Sequence, residues 1–173
     1  MTHSRPLAAA MLAAIAASLA CSHRPQADTP LDVRPLELAA AAGSSSPNLS
    51  TFHDGAIVSW VETVAVENAG SRATLKFAER TDGAWTAPRS VASGSDWFIN
   101  PADVPSVVRL DNRTIVAHWL QTTDLHREAY DIKMTWSKDN GATWSAPASP
   151  HHDGTTTQHG FATLFPMRGG GLG

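Results

Sequence analysis

The sequence predicts an all-β chain built from repeated four-stranded antiparallel units, the arrangement of a partial β-propeller. Three observations predict it. Short runs rich in β-branched and aromatic residues recur between polar turns, as in Ala56–Glu62 (AIVSWVE) and Thr114–Gln121 (TIVAHWLQ). No stretch carries a sustained helical period. The runs also repeat: Pro47 matches Pro105, Leu49 Val107, Ile57 Ile115, Trp60 Trp119 and Trp85 Trp144, always at an offset of 58 or 59 residues.

Residues 1–20 read as a signal peptide. A short polar start with His3 and Arg5 precedes Leu7–Leu19, an apolar run interrupted only by Ser18. Thirteen residues suit the apolar region of an export signal and are too few to span a bilayer. Cys21 is the only cysteine, so no internal disulfide can form. A lone cysteine directly after such a run resembles the lipobox of bacterial lipoproteins, although Ser18 stands where that pattern has an aliphatic residue. The resemblance implies lipidation at Cys21, a membrane anchor there, and an exported chain in the bacterial cell envelope, periplasmic or on the outer membrane. The other reading is ordinary cleavage near Ala20, leaving a free thiol.

Residues 21–46 read as a flexible tether carrying the lipidated cysteine. They hold Pro25, Pro30 and Pro35 and the small-residue run Leu38–Ser46. Leu31–Leu38 alternates weakly and could add an edge strand. The first unit then covers 47–104 and the second 105–162. In the second, strands are expected over Ser106–Leu110, Thr114–Gln121, Tyr130–Ser137 and Trp144–Ala148, with turns at Asp111-Asn112 and Asn140-Gly141 and a loop over Thr122–Glu128. Residues 163–173 look like the start of a third unit, since Leu164–Gly173 resembles Val108–Ile115. A six-bladed ring of this period takes about 350 residues. From Pro47 onward there are 127 (173 − 46), so the expectation is about two blades and the start of a third, a fragment of a six-bladed parent.

Bulk composition excludes some functions. Apolar residues make up 42% and charged residues 17%, as in a globular protein. Net charge is −3 with no Lys/Arg run, which gives no electrostatic case for nucleic acid. Six tryptophans against one tyrosine point to a core or binding face anchored on indoles.

The octet Ser137–Trp144 (SKDNGATW) fits Ser-x-Asp-x-Gly-x-x-Trp. A carboxylate such as Asp139 can accept backbone N–H bonds a few residues on, Gly141 can take a positive φ, and Trp144 can cover the turn. In the first unit Arg80–Trp85 (RTDGAW) replaces it with a two-residue Asp82-Gly83 turn of type I′. The octet resembles the Asp box, or BNR repeat, of sialidase-like propellers, and the chain from Pro47 onward resembles bacterial members of the neuraminidase superfamily. The resemblance implies a structural rim turn at Ser137, Asp139, Gly141 and Trp144. It also implies a glycan-directed, exo-α-sialidase-type glycoside hydrolase, with a glycan or glycoconjugate as partner and no cofactor.

That family's catalytic pattern is an arginine triad, an acidic Asp and a Tyr–Glu pair, with one arginine in a Phe/Tyr-Arg-Ile-Pro stretch. No such stretch occurs here; Arg109 lies outside any, and the one tyrosine, Tyr130, begins a third strand. No catalytic residue is therefore assigned and enzyme activity stays open. The alternatives are a non-catalytic propeller module binding a glycan or protein, and a truncated product without activity.

Ligand-contacting residues are expected in loops at one end of the units, over Gly94–Pro105, His151–Gly160, Glu62–Arg72 and Gln121–Glu128. Asp96, Trp97, Asn100 and Asp103 combine an indole face with hydroxyl acceptors, as a sugar site needs; equally, Trp97 could cap the contact between units. His151, His152, Asp153 and His159 form the most polar cluster. Three histidines and an aspartate could bind a metal, but their spacing matches no metal motif, so no metal is expected and a carbohydrate-contacting or solvated loop is.

Overall fold

The computed structural model describes residues 31–68 and 70–173. The signal-peptide, lipidation and anchor expectations, Cys21 included, fall outside the described residues. The chain divides into two units, Met1–Pro35 and Leu36–Gly173. Of the first, residues 31–35 carry no regular secondary structure, and the exposed Arg34 pairs with Asp32. Leu31–Leu38 forms no strand.

The second unit is all-β. Its strands are β1 Ser45–Phe52, β2 Gly55–Val66, β3 Gly70–Thr81, β4 Ala84–Trp85, β5 Arg89–Gly94, β6 Ser106–Arg109, β7 Ile115–Asp124 and β8 Ala129–Ser137. They build two antiparallel sheets. One has five strands in the order β1-β2-β3-β4, with β5 also on β3; the other has three, β6-β7-β8. The first begins at an edge strand that carries Pro47, next to a register shift between Ser45 and Asn48, where a residue without an N–H costs no ladder bond. The β3–β4 turn has positive φ at both Asp82 (52°) and Gly83 (85°), the type I′ geometry that the Asp-Gly pair favours.

The two sheets correct the repeated-blade expectation. They are separate and open, and neither closes into a ring or repeats the other's strand count. The partial β-propeller is therefore replaced by an all-β unit of two unclosed sheets. The unequal strand counts originate after the two Trp-x-Ala-Pro sequences. Beyond Pro88 the chain runs free of proline and pairs with β3 as β5. Beyond Pro147 a second proline, Pro150, follows within three residues, so Trp144–Ala148 attains only an isolated Met134–Ala148 bridge and no fourth strand. The expected loops Glu62–Arg72 and Gln121–Glu128 are shorter than expected, because 62–66, 70–72 and 121–124 are strand. β2 and β3 stay paired as far as Val66 opposite Gly70, and β7 and β8 as far as Asp124 opposite Ala129.

A shared core joins the sheets. Ile57, Val61, Leu75 and Phe77 of the first pack with Val107 and Ile115 of the second. Fully burying each such side chain is worth about 1.5–3 kcal/mol. At one margin Glu79 of β3 pairs with Arg109 of β6 at 2.6 Å and with Arg89 of β5, a charged clasp across both sheets.

Candidate histidine–carboxylate site

Register places the site. Met134 of β8 pairs antiparallel with Ala148, and Lys133 Nζ donates to Ser149 Oγ at 2.7 Å. Continuing that register three residues brings His151 level with Asp131. The chain then loops out and returns beside the start of β8, where Tyr130 and Gln158 form a parallel bridge and the His159 N–H donates to the Tyr130 carbonyl at 2.9 Å. His159 thus also arrives beside Asp131. Gly160 permits this return, since a Cβ there would stand 2.8 Å from the Tyr130 ring and closer still to Asp103.

The result is two stacked imidazoles between two carboxylates. The rings of His151 and His159 lie 4.0 Å apart and 20° from parallel. On the inner side Asp131 Oδ1 stands 3.8 Å from His151 Nε2 and 3.3 Å from His159 Nδ1. On the outer side Asp153 stands 3.8 Å from His151 Nδ1 and 3.0 Å from His159 Nε2. Both inner ring nitrogens are shielded from water and have no hydrogen-bond partner among the described residues. The outer His159 Nε2 is well held, with Asp153 Oδ2 at 3.0 Å and the hydroxyls of Thr155 and Thr157 each at 3.3 Å. In the neutral ring, an Nε2–H donating to Asp153 leaves the Nδ1 lone pair facing Asp131. That hydrogen bond raises the His159 pKa above its ordinary value, and the same contact, with two bonds from Thr155, pushes the Asp153 carboxyl far below the usual carboxylate range. The other oxygen of Asp131 faces Lys133 Nζ at 3.3 Å.

Of the four loop residues singled out in the sequence, His151, Asp153 and His159 meet here, while His152 is exposed and outside the cluster. Asp131 was missed. It sits on a strand some twenty residues earlier, and its only signal was the alternation of Asp131–Ser137, which put it opposite the apolar face.

The other candidates hold structure together. Trp97 stacks on Trp119 at 5.1 Å, so one indole face is covered and the ring packs on the core. Asp96 accepts from Gln121 Nε2 at 2.6 Å, and its carbonyl accepts from the Thr122 N–H. Asn100 Oδ1 accepts the N–H groups of Ala102 and Asp103, each at 2.8 Å. Asp103 is buried and accepts the Phe161 N–H. Only Asp96 and Trp97 share a groove, of about 500 Å³, with Asp124, Leu125 and His126.

In the Ser137–Trp144 turn, Asp139 accepts from Ser137 Oγ at 2.7 Å, the Thr143 N–H at 2.9 Å and the Thr143 hydroxyl at 2.5 Å. These bonds, the Thr143 hydroxyl foremost, hold its pKa down at about 2. Trp144 does more than cover the turn: its ring meets Phe77 of the other sheet edge-on at 6.0 Å. One buried polar pair had no sequence signal. Ser106 Oγ lies 2.9 Å from His118 Nδ1, and both residues are sealed from solvent.

Comparison with known proteins found no match to any family model, any curated protein or any solved structure. With two open sheets in place of a ring and no matching relative, the assignment to the sialidase-like BNR propellers is corrected, and the glycosidase function drawn from it falls as well. What stands is an all-β unit with a histidine–carboxylate cluster.

Proposed function

We propose that this chain is a cation-binding β-sheet module whose binding centre is Asp131, His151 and His159, backed by Asp153. One observation carries the reading. Two water-shielded ring nitrogens without hydrogen-bond partners among the described residues converge on one carboxylate oxygen. Buried polar atoms are nearly always satisfied, and three converging electron-pair donors call for an electron-pair acceptor. Two carboxylates against one ammonium favour positive charge at that point. The leader-like residues 1–20 support a place outside the cytoplasm for this module.

The test is thermal melting of the full chain, free of any histidine tag, against sodium, ammonium, magnesium, calcium, manganese and zinc salts. A ligand that binds only the folded state raises the melting temperature in proportion to the logarithm of its concentration over Kd. The expected result is a rise with at least one cation that Asp131→Asn abolishes. No Asp131-dependent rise with any of them would remove the reading.

A further inference from the structure

Resting on that reading, we propose that the cation is a divalent transition-metal ion of the zinc class, ligated by Asp131 Oδ1, His151 Nε2 and His159 Nδ1. Asp153 is the positioning residue that holds His159 in its ligating tautomer. One ligating atom from each of the three residues lies within 4.8 Å of the others. Two ligands at zinc distances of about 2.0–2.1 Å and a tetrahedral angle stand about 3.3–3.4 Å apart. The Asp131 Oδ1–His159 Nδ1 distance is already 3.3 Å. The Asp131 Oδ1–His151 Nε2 distance is 3.8 Å, and because an imidazole ligates in its own ring plane, the His151 ring must turn out of its stack on His159 to share the ion.

Donor chemistry selects the ion. Two imidazoles and one carboxylate suit zinc, cobalt, nickel and copper. Calcium takes six to eight oxygens and magnesium a near-ideal oxygen octahedron, and neither is offered here. The surroundings match the usual support of a metal-bound histidine, in which the far ring nitrogen donates to a carboxylate and so fixes ring orientation and basicity. Asp153 and the hydroxyls of Thr155 and Thr157 occupy that position on His159. Lys133 holds the second oxygen of Asp131, which orients the carboxylate to present Oδ1 and leaves it monodentate. Three protein ligands leave a fourth position for water or an added ligand, as in zinc sites that exchange their fourth ligand.

The site crosses elements, with Asp131 on β8 and both histidines on the following loop. An ion there cross-links residues 151–159 to the sheet. Spacing along the sequence hid this because the eight-residue separation of His151 and His159 becomes a stacked pair only when the loop returns to Tyr130.

The experiment titrates the tag-free full chain with Co²⁺ and Zn²⁺, reading the visible d–d bands of cobalt and their displacement by zinc, with calorimetry for stoichiometry. The expected result is one ion per chain for the native protein and for His152→Ala, which alters the neighbouring exposed histidine. Asp131→Asn and His159→Gln abolish saturable binding, while Asp153→Asn weakens it about 10-fold or more. Circular dichroism melts of each variant separate lost ligation from lost folding. Overturning results are no saturable cobalt or zinc binding in the folded native chain, or binding that survives both Asp131→Asn and His159→Gln. An Asp131-dependent response to calcium or ammonium alone would overturn the zinc assignment and leave the cation site standing. Silence toward every cation would remove both.

Discussion

Phe77 of β3 and Gly141 of the Asn140-Gly141 turn touch across the two sheets, so closely that a Cβ on Gly141 would lie 2.7 Å from the Phe77 ring carbon Cζ. Gly141 is also buried and has a φ of +81°, where a side chain is strained. Steric exclusion and backbone strain therefore act at one residue. Gly141→Ala is expected to destabilise the fold by about 2 kcal/mol or more, read as a lower midpoint in urea with an unchanged slope. An equal midpoint would mean that the turn shifts freely away from Phe77.

The clasp next to this contact is charged. Glu79 faces Arg109 and Arg89, and Arg89 also donates to the Asn140 carbonyl. Removing the carboxylate charge leaves two guanidinium groups close together and partly dehydrated. Glu79→Gln, nearly isosteric, is expected to lower stability by about 2 kcal/mol, less than for a fully buried pair because the clasp retains some solvent contact. The loss should shrink at high salt, which a urea series at two ionic strengths would show.

His118 predicts acid sensitivity. Burial, opposed by the nearby Asp103 charge, lowers its pKa from 6.5 to about 4. The folded state keeps the ring neutral where the unfolded state already takes up a proton. Between pH 6.5 and about 4 the unfolded state binds more protons, so stability falls as pH falls through that window. The loss attributable to this residue approaches about 3 kcal/mol below pH 4, and His118→Gln should flatten the slope. A variant with the native pH slope would exclude His118 as the source.

Asp139 acts at lower pH. Its pKa is depressed to about 2, so its stabilising bonds are present above the ordinary carboxylate range and are lost as pH falls through about 2. Asp139→Asn should reduce the urea midpoint at pH 7, because neither the Thr143 N–H nor its hydroxyl then meets a charged acceptor. The difference between native and variant should narrow at the acid end, which midpoints measured at both pH values would reveal.

Local chemistry made much of the secondary structure legible. β7 and β8 lie where the apolar runs around Trp119 and the alternation Ile132-Met134-Trp136 put them, because period-two patterning marks a half-buried strand without reference to its neighbours. The Asp82-Gly83 and Asn140-Gly141 turns were likewise readable from residue type, since few residues adopt positive φ. The offset of 58 or 59 residues is also real in the sequence. It did not translate into equal sheets, because similar strands entered different surroundings: Arg89–Gly94 found an open edge on β3, and the segment after Trp144 met a second proline.

By itself, then, the sequence determined an antiparallel all-β chain, its turns, and a polar loop rich in histidine. These depend on alternation, φ preference and composition, which act over a few residues. Tertiary structure alone decided that the strands form two open sheets and that Trp97 and Asp103 serve the interior. It alone brought Asp131 to His151 and His159. Each of those outcomes depends on which edges pair and where a loop returns, and that is settled by the summed packing and hydrogen bonding of residues far apart in the chain.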